Sequence, residues 1–333
     1  MIRWKSMVLG LAAGLLLTGP AWARPVLLGI AATNLAGVTV GDGTILFSTS
    51  THRNWAPASG IDESLIYNDV IAARDGFFVA VAEDGSAWRS ATSAGAAFVR
   101  RSGAASAPLY GLTQIGSQLL AVGSGGTIVR ASDQTAGSWV DVSSPTSQTL
   151  RAVATNGTTS TVAVGDGGTI LRGGINGNEW QIVSIGESRD LLAVTADLTT
   201  GRFLAAGVGG ALWSAAGDGV TWTQIDPGLT IEGALRGATQ IGGATVVVGD
   251  RGEIYVSSMN FANWVLAQTP TDPETGRYDL YSVAFSGNDV VACGSRRVLL
   301  WSSIGLQWDD NAVVPVEEMS WGRVKSRFQD PAR

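Results

Sequence analysis

The sequence predicts an all-β chain, a seven-bladed β-propeller in which each blade is a four-stranded antiparallel sheet. The first observation is a glycine-rich turn, fullest at Gly165-Asp166-Gly167-Gly168, that recurs seven times with a period of about 42 residues. The second is an aromatic residue 11 to 13 positions after the last residue of each turn. The third is a short apolar segment that begins 15 to 19 positions before that residue. A period in the low forties built from strand and turn signals is typical of a propeller blade.

Each repeat is predicted to contain four strands, named a to d in chain order. Strand a is the apolar segment, which begins at Leu28, Asn68, Leu109, Leu150, Leu191, Leu235 and Tyr281. Strand b enters the glycine turn and strand c leaves it, and the last turn residues are Gly43, Gly85, Gly126, Gly168, Gly210, Gly252 and Arg297. Strand d starts at the aromatic residue, which is Trp55, Phe98, Trp139, Trp180, Trp222, Trp264 or Trp308. Glycine supplies the positive φ of a tight turn without steric cost, and the large ring fills space between blades.

Residues 1–23 have the features of a signal peptide. Arg3 and Lys5 form a basic start, an apolar stretch follows from 8 to 17, and 21–23 fits the small-x-small cleavage rule. The apolar stretch is short for a membrane span, although an uncleaved anchor helix is the alternative. The sequence therefore predicts an exported chain, periplasmic or secreted.

The propeller is predicted to occupy residues 24–314, with a C-terminal tail at 315–333. The simplest register starts strand a of the first blade near Val26 and ends strand d of the last blade near Trp308. No strand is then shared between the chain ends, so packing alone closes the ring. The tail could be a disordered end, an added strand or a docking segment, and we expect a mostly disordered end.

Composition argues against several classes of partner. The net charge of −6 is not that of a nucleic-acid-binding surface. No stretch after the signal peptide is long and apolar enough to cross a membrane. We also expect the chain to be a monomer. The single cysteine, Cys293, permits no intrachain disulfide, and its alignment with Val122, Val164 and Val248 predicts a buried position in strand b.

No cofactor, metal or catalytic residue is predicted. One histidine and one cysteine cannot form a conventional zinc site. Calcium at Asp42, Asp166 or Asp250 lacks support, because each turn offers one carboxylate where several oxygen ligands are needed. A Ser-His-Asp triad could rest only on His52, which lies in a polar loop.

The connection between strands c and d carries a second motif. Residues 214–222 (Ser-Ala-Ala-Gly-Asp-Gly-Val-Thr-Trp) resemble the BNR or Asp-box repeat, Ser-x-Asp-x-Gly-x-x-Trp. In that motif the aspartate, here Asp218, caps its own turn through backbone N–H groups. Together with the Val-Gly-x-Gly-Gly-x-Ile strings, the pattern over residues 26–314 resembles the photosystem II assembly and stability factor family. The sequence departs from the fullest pattern in that most repeats lack the aspartate and the seventh turn carries Arg296 and Arg297.

The resemblance implies a seven-bladed propeller that binds a membrane-protein precursor during assembly. The leading hypothesis is therefore a non-enzymatic exported scaffold for an envelope or membrane protein whose identity the resemblance does not supply. The alternative is a secreted carbohydrate-active protein, either a sialidase-like glycoside hydrolase or a lectin. Sialidases need an arginine triad and a tyrosine nucleophile, and none of the five tyrosines stands in such a setting.

Two groups of arginines are candidate binding residues. The strand-c arginines, Arg89, Arg130 and Arg172, share one position in three successive blades. The rim arginines, Arg151 and Arg236, share the second position of strand a, close to the mouth of the central channel. The other blades are expected to place Gly29, Asp69, Tyr110, Leu192 and Ser282 at that position, and Tyr110 joins the candidate site. The structural alternative is that each arginine fills a gap between blades and pairs with a nearby aspartate.

Overall fold

The computed structural model describes residues 26–49, 54–257, 261, 263–267, 269, 277–287, 289–303 and 309–313. It confirms the seven-bladed propeller, because seven sheets of four antiparallel strands follow one another along the chain. The predicted signal peptide, the C-terminal tail, His52 and Trp308 lie outside the described residues. Among the described residues, no helix has the length and apolar character needed to cross a bilayer.

Each blade is formed by four consecutive strands, so one continuous stretch of sequence builds one sheet. The strands, blade by blade, are β1 Leu27–Ala32, β2 Ala36–Gly41, β3 Thr44–Thr49 and β4 Ala56–Pro57; β5 Tyr67–Ala72, β6 Phe78–Ala82, β7 Ser86–Ser90 and β8 Phe98–Gly103; β9 Leu109–Ile115, β10 Gln118–Gly123, β11 Ile128–Ala131 and β12 Trp139–Asp141; β13 Leu150–Thr155, β14 Ser160–Gly165, β15 Ile170–Gly174 and β16 Trp180–Ile182; β17 Leu191–Ala196, β18 Phe203–Gly207, β19 Leu212–Ala215 and β20 Trp222–Gln224; β21 Leu235–Ile241, β22 Ala244–Gly249, β23 Ile254–Ser257 and β24 Trp264–Leu266; and β25 Leu280–Ser286, β26 Asp289–Gly294, β27 Val298–Ser302 and β28 Asp309–Val313.

The core lies between adjacent blades. Strand b is covered on both faces, and every residue of β14 is buried. Val162 and Val164 of this strand pack with Leu191 and Phe203 of the next blade. Strand d is the outer strand, so in β16 only Trp180 is buried and the two residues after it are exposed. An apolar run in strand b and a single aromatic in strand d are therefore what this packing requires.

The ring closes between the first and last blades without a shared strand. Blade one consists of β1 to β4 and blade seven of β25 to β28, as the predicted register requires. At this seam Leu27 and Ile30 pack with Val291 and Cys293. The backbone N–H of Ile30 donates to Ser282 Oγ at 3.3 Å. Cys293 is buried and free, as predicted.

The turn between strands b and c uses glycine for two different physical reasons. In blade four, residues Asp166–Gly168 form one turn of 3-10 helix in which Gly167 and Gly168 have φ of 64° and 70°. The leading Gly165 is extended, with φ of −170°. A Cβ there would lie 2.0 Å from the carbonyl oxygen of Thr149. Positive φ therefore explains two of the glycines, and close approach of another backbone segment explains the first.

In blades four and five, the tryptophan at the start of strand d is held by the turn before it. The indole Nε1 of Trp222 donates to the carbonyl oxygen of Gly219 at 3.1 Å, and that of Trp180 donates to Gly177 at 3.1 Å. Asp218 caps its own turn by accepting the N–H of Val220 at 3.1 Å. These contacts make the ring and the carboxylate structural parts of the blade.

Candidate binding site at the channel mouth

The two groups of arginines lie at opposite faces of the disc. In an antiparallel blade, the start of strand a lies beside the turn between strands b and c, whereas strand c ends at the other edge. The rim arginines therefore lie on the face that carries the b–c turns, here called the turn face. The strand-c arginines lie near the opposite face, which carries the a–b and c–d turns.

Each strand-c arginine contacts the c–d turn of the following blade. Arg89 is buried, forms an ion pair with Asp75 at 2.7 Å and donates to the carbonyl oxygen of Gln134 at 3.2 Å. Its guanidinium carbon lies 4.3 Å from the centre of the Phe77 ring. The contact with the next blade braces the joint between the two sheets.

The equivalent contacts recur in the next two blades. Arg130 donates to the carbonyl oxygen of Asn176 at 3.3 Å and to the side chain of Asn178. Arg172 donates through Nε to the carbonyl oxygen of Asp218 at 3.0 Å. The structure thus gives the strand-c arginines a bracing role, and their proposed binding role stays a prediction.

A β-bulge aims one side chain per blade at the channel mouth. In β13, Leu150 pairs with Gly165 and Ala152 pairs with Val164, so Arg151 is the extra residue. The same register shift occurs at the second residue of strand a in all seven blades. Bulges commonly redirect a side chain in this way. The seven bulge residues, which we call the rim residues, are Leu28, Asn68, Tyr110, Arg151, Leu192, Arg236 and Tyr281.

This register corrects the predicted rim in three blades. The spacing of the repeats predicts Gly29, Asp69 and Ser282 at the position of Arg151, but these residues lie one position further along. The reason is that strand a begins at Leu27, Tyr67 and Leu280, one residue before the predicted starts. The predicted placements of Tyr110, Leu192 and the rim arginines agree with the structure.

Arg151 belongs to a stack of three side chains. Its Nε and Nη2 donate to the two carboxylate oxygens of Asp166 at 2.7 and 3.0 Å. Its guanidinium carbon lies 5.1 Å from the centre of the Tyr110 ring of the preceding blade. The bidentate ion pair and the ring fix the orientation of a long side chain that would otherwise move freely.

Arg236, two blades further on, also has an aspartate and a tyrosine as neighbours, but its tyrosine belongs to the following blade. Its Nε donates to Asp250, and its guanidinium carbon lies 5.2 Å from the centre of the Tyr281 ring. Asp250 also accepts the backbone N–H of Ala234 at 3.0 Å. Two of the three turn aspartates weighed as calcium ligands, Asp166 and Asp250, thus hold the rim arginines. The described residues contain no group of three or more His, Cys, Asp or Glu that could hold a metal ion.

Asp69 is the one charged residue at the third position of strand a. The equivalent residues of the other blades are Gly29, Gly111, Ala152, Ala193, Gly237 and Ser282. Its carboxylate accepts the N–H groups of Val70 and of Leu112 in the next blade, both at 2.8 Å. Burial in the channel wall raises the pKa of Asp69 to about 7, although the two hydrogen bonds act in the opposite direction.

Replacing Asp69 should flatten the pH dependence of stability. Because the folded state keeps the Asp69 proton to higher pH than the unfolded state, its contribution is complete below about pH 4 and is lost as the pH rises through 7. We expect the free energy of unfolding of wild type to fall by on the order of 2 kcal/mol from this group between pH 5 and 8.

The measurement is urea unfolding at four pH values across that range. Asp69→Asn should lose this part of the pH dependence. Asp141→Asn, which removes the same charge from the exposed end of β12, should keep the wild-type slope. An unchanged slope in Asp69→Asn would contradict the assignment.

This chain is similar to known proteins in its fold and not in its sequence. No family model matches the sequence, and no curated protein sequence matches it. Among solved structures, the chain is similar to YCF48 bound to D1 peptide, with 16% identity, a TM-score of 0.67 and coverage of 84% of this chain and 91% of that chain. It is also similar to YCF48 from Cyanidioschyzon merolae, with 16% identity, a TM-score of 0.64 and coverage of 84% and 95%. YCF48 is a photosystem II assembly factor, so the resemblance seen in the sequence is confirmed at the level of the fold.

Proposed function

We propose that this chain is a non-enzymatic, exported scaffold whose turn face binds an envelope or membrane protein. The observation that carries the proposal is the pair of stacked rim arginines, each held by an aspartate and a tyrosine at the channel mouth. Side chains fixed before binding lose less conformational entropy when a partner arrives. Export is supported by the basic and apolar pattern of residues 1–23.

The likeness to YCF48 supports a protein partner. One of the similar structures holds a D1 peptide on the same fold, and that pairing belongs to YCF48. For this chain it suggests a segment of a membrane protein as the partner class. Guanidinium groups backed by aromatic rings suit a segment that carries carboxylates.

The test is recovery of partners from a detergent extract of the envelope with the purified chain as bait. Arg151→Ala/Arg236→Ala should lose the specific partner, because both changes remove cations from the turn face. The double variant should still fold, because both ion pairs are partly exposed and such pairs contribute about 0–1 kcal/mol each. Arg100→Ala, which makes the same change on the exposed outer strand β8, should recover partners as wild type does.

The strand-c arginines are tested in the same experiment. Arg89→Ala/Arg130→Ala/Arg172→Ala should lower stability, because it removes three contacts between blades. Full partner recovery by this variant would remove the strand-c arginines from the binding site. If Arg151→Ala/Arg236→Ala recovers partners as wild type does, the turn face is not the binding surface. If wild type hydrolyses fluorogenic glycosides, the non-enzymatic role is wrong.

A further inference from the structure

The channel wall contains backbone N–H groups that point out of their own sheets. Leu112 holds the fourth position of strand a, and its N–H donates to Asp69 of the preceding blade. Ile30 holds the same position in blade one, and its N–H donates to Ser282 of blade seven. The N–H at this position is therefore directed away from strand b, toward the channel and the neighbouring blade.

The acceptors are distributed unevenly around the ring. In blades one to three, the N–H groups of Ile30, Val70 and Leu112 are accepted by Ser282 and Asp69. In blades four to seven the third position of the preceding blade is a glycine or alanine, which offers no polar side-chain atom. No side chain among the described residues accepts the equivalent N–H groups, which belong to Val153, Val194, Ala238 and Val283.

The rim above these blades is also rich in donors. Arg151 uses Nε and Nη2 for Asp166, which leaves Nη1 without an acceptor among the described residues. Arg236 donates through Nε to Asp250, and in the part of the chain that the structure describes neither Nη1 nor Nη2 has an acceptor. Leu192 lies between the two arginines, in blade five. The rim residues and the four N–H-bearing residues line one cavity of about 230 Å³.

We propose that the half of the channel formed by blades four to seven binds a small dicarboxylate. One carboxylate pairs with Arg151 and the other with Arg236, and Leu192 contacts the hydrocarbon between them. The planar guanidinium fork matches a carboxylate, and backbone N–H groups supply further donors to its oxygens. Asp69 lies on the other side of the channel and disfavours an anion there. This inference goes beyond the proposed scaffold role, because the ligand is a free small molecule.

Isothermal titration calorimetry of the purified chain with succinate and glutarate tests the proposal. We expect a dissociation constant below about 1 mM for at least one of them, and binding about tenfold weaker or more for acetate, succinamide and sulfate. Arg236→Lys keeps the charge but loses the fork, and should weaken binding about tenfold, which corresponds to one charge-assisted hydrogen bond. Arg100→Ala should bind as wild type.

Ala193→Ser tests the backbone donors without changing any charge. By analogy with Ser282 and Ile30, the new hydroxyl should accept the N–H of Ala238 and compete with the dicarboxylate. Weaker binding by Ala193→Ser supports the proposal. No binding by wild type up to about 20 mM, or binding of succinamide or sulfate as strong as that of the dicarboxylates, overturns it. Either failure leaves the partner-recovery experiment unaffected, so the two hypotheses are separable.

Discussion

Deletion of residues 24–32 should open the ring and remove most of the free energy of unfolding. The deletion removes β1, in which Leu27 and Ile30 are 0% and 5% exposed, and uncovers the apolar surface of blade seven at Val291 and Cys293. Each large buried side chain contributes about 2–5 kcal/mol, and whole domains are stable by only about 5–15 kcal/mol. We expect the melting temperature, followed by circular dichroism, to fall by about 10 °C or more.

A point variant distinguishes the loss of packing at the seam from the loss of the whole strand β1. Leu27→Ala should cost about 2–5 kcal/mol because it leaves a cavity at the seam. Leu35→Ala makes the same chemical change at a site that is 79% exposed, and should stay within about 0.5 kcal/mol of wild type. A deletion variant that melts like wild type would show that β1 does not close the ring.

The second large effect is expected at the leading glycine of the turn. Gly165→Ala should destabilise the chain by about 3 kcal/mol or more, because the new Cβ would lie 2.0 Å from Thr149 O and 2.9 Å from Leu150 Cα. Both contacts are with backbone atoms, so no rotamer change can relieve them. The measurement is urea unfolding followed by tryptophan fluorescence.

Alanine substitutions at two nearby glycines serve as controls for Gly165→Ala. Gly167→Ala meets only Gln148 Nε2 at 3.9 Å, so its cost is that of positive φ, about 1 kcal/mol. Arg251 and Arg296 already occupy the equivalent turn position in blades six and seven, with φ of 61° and 56°. Gly174→Ala meets nothing within 4 Å and should stay within about 0.5 kcal/mol of wild type. Equal losses in Gly165→Ala and Gly167→Ala would exclude close approach as the cause.

The fold was predictable because its signals are local and repeated. Glycine turns, aromatic residues and apolar segments each mark one place in a blade, so seven copies determine the number of sheets and their order. The start of strand a was less determined. Leu27 and Leu28 are consecutive apolar residues, as are Leu280 and Tyr281, so either residue of each pair could begin the strand. No particular residue type marks the β-bulge in the sequence. Tyr281 was therefore missed as a rim residue.

The contacts of the candidate site were predictable only in part. Arg151 and Arg236 occupy the same position of the repeat, and equivalent positions of different blades lie at the same level along the channel axis. The sequence therefore predicts both arginines at one rim. The acceptor of Arg172 is a backbone carbonyl in the next blade, and a carbonyl is present at every residue. The raised pKa of Asp69 arises from its burial beside a neighbouring strand, which the local sequence does not reveal.

The one-stretch, one-sheet construction has an evolutionary consequence. A tandem duplication or loss of a single repeat in the gene would add or remove a whole blade and leave every other sheet intact, including the two that meet at the seam. If the two chain ends instead shared one sheet, the segments encoding its strands would lie at opposite ends of the gene. Each duplication or loss of a repeat would then have to preserve both segments. The new blade would still have to fit around the channel, where a Cβ added at Gly29 or Gly237 would lie about 3 Å from the backbone of the adjoining blade.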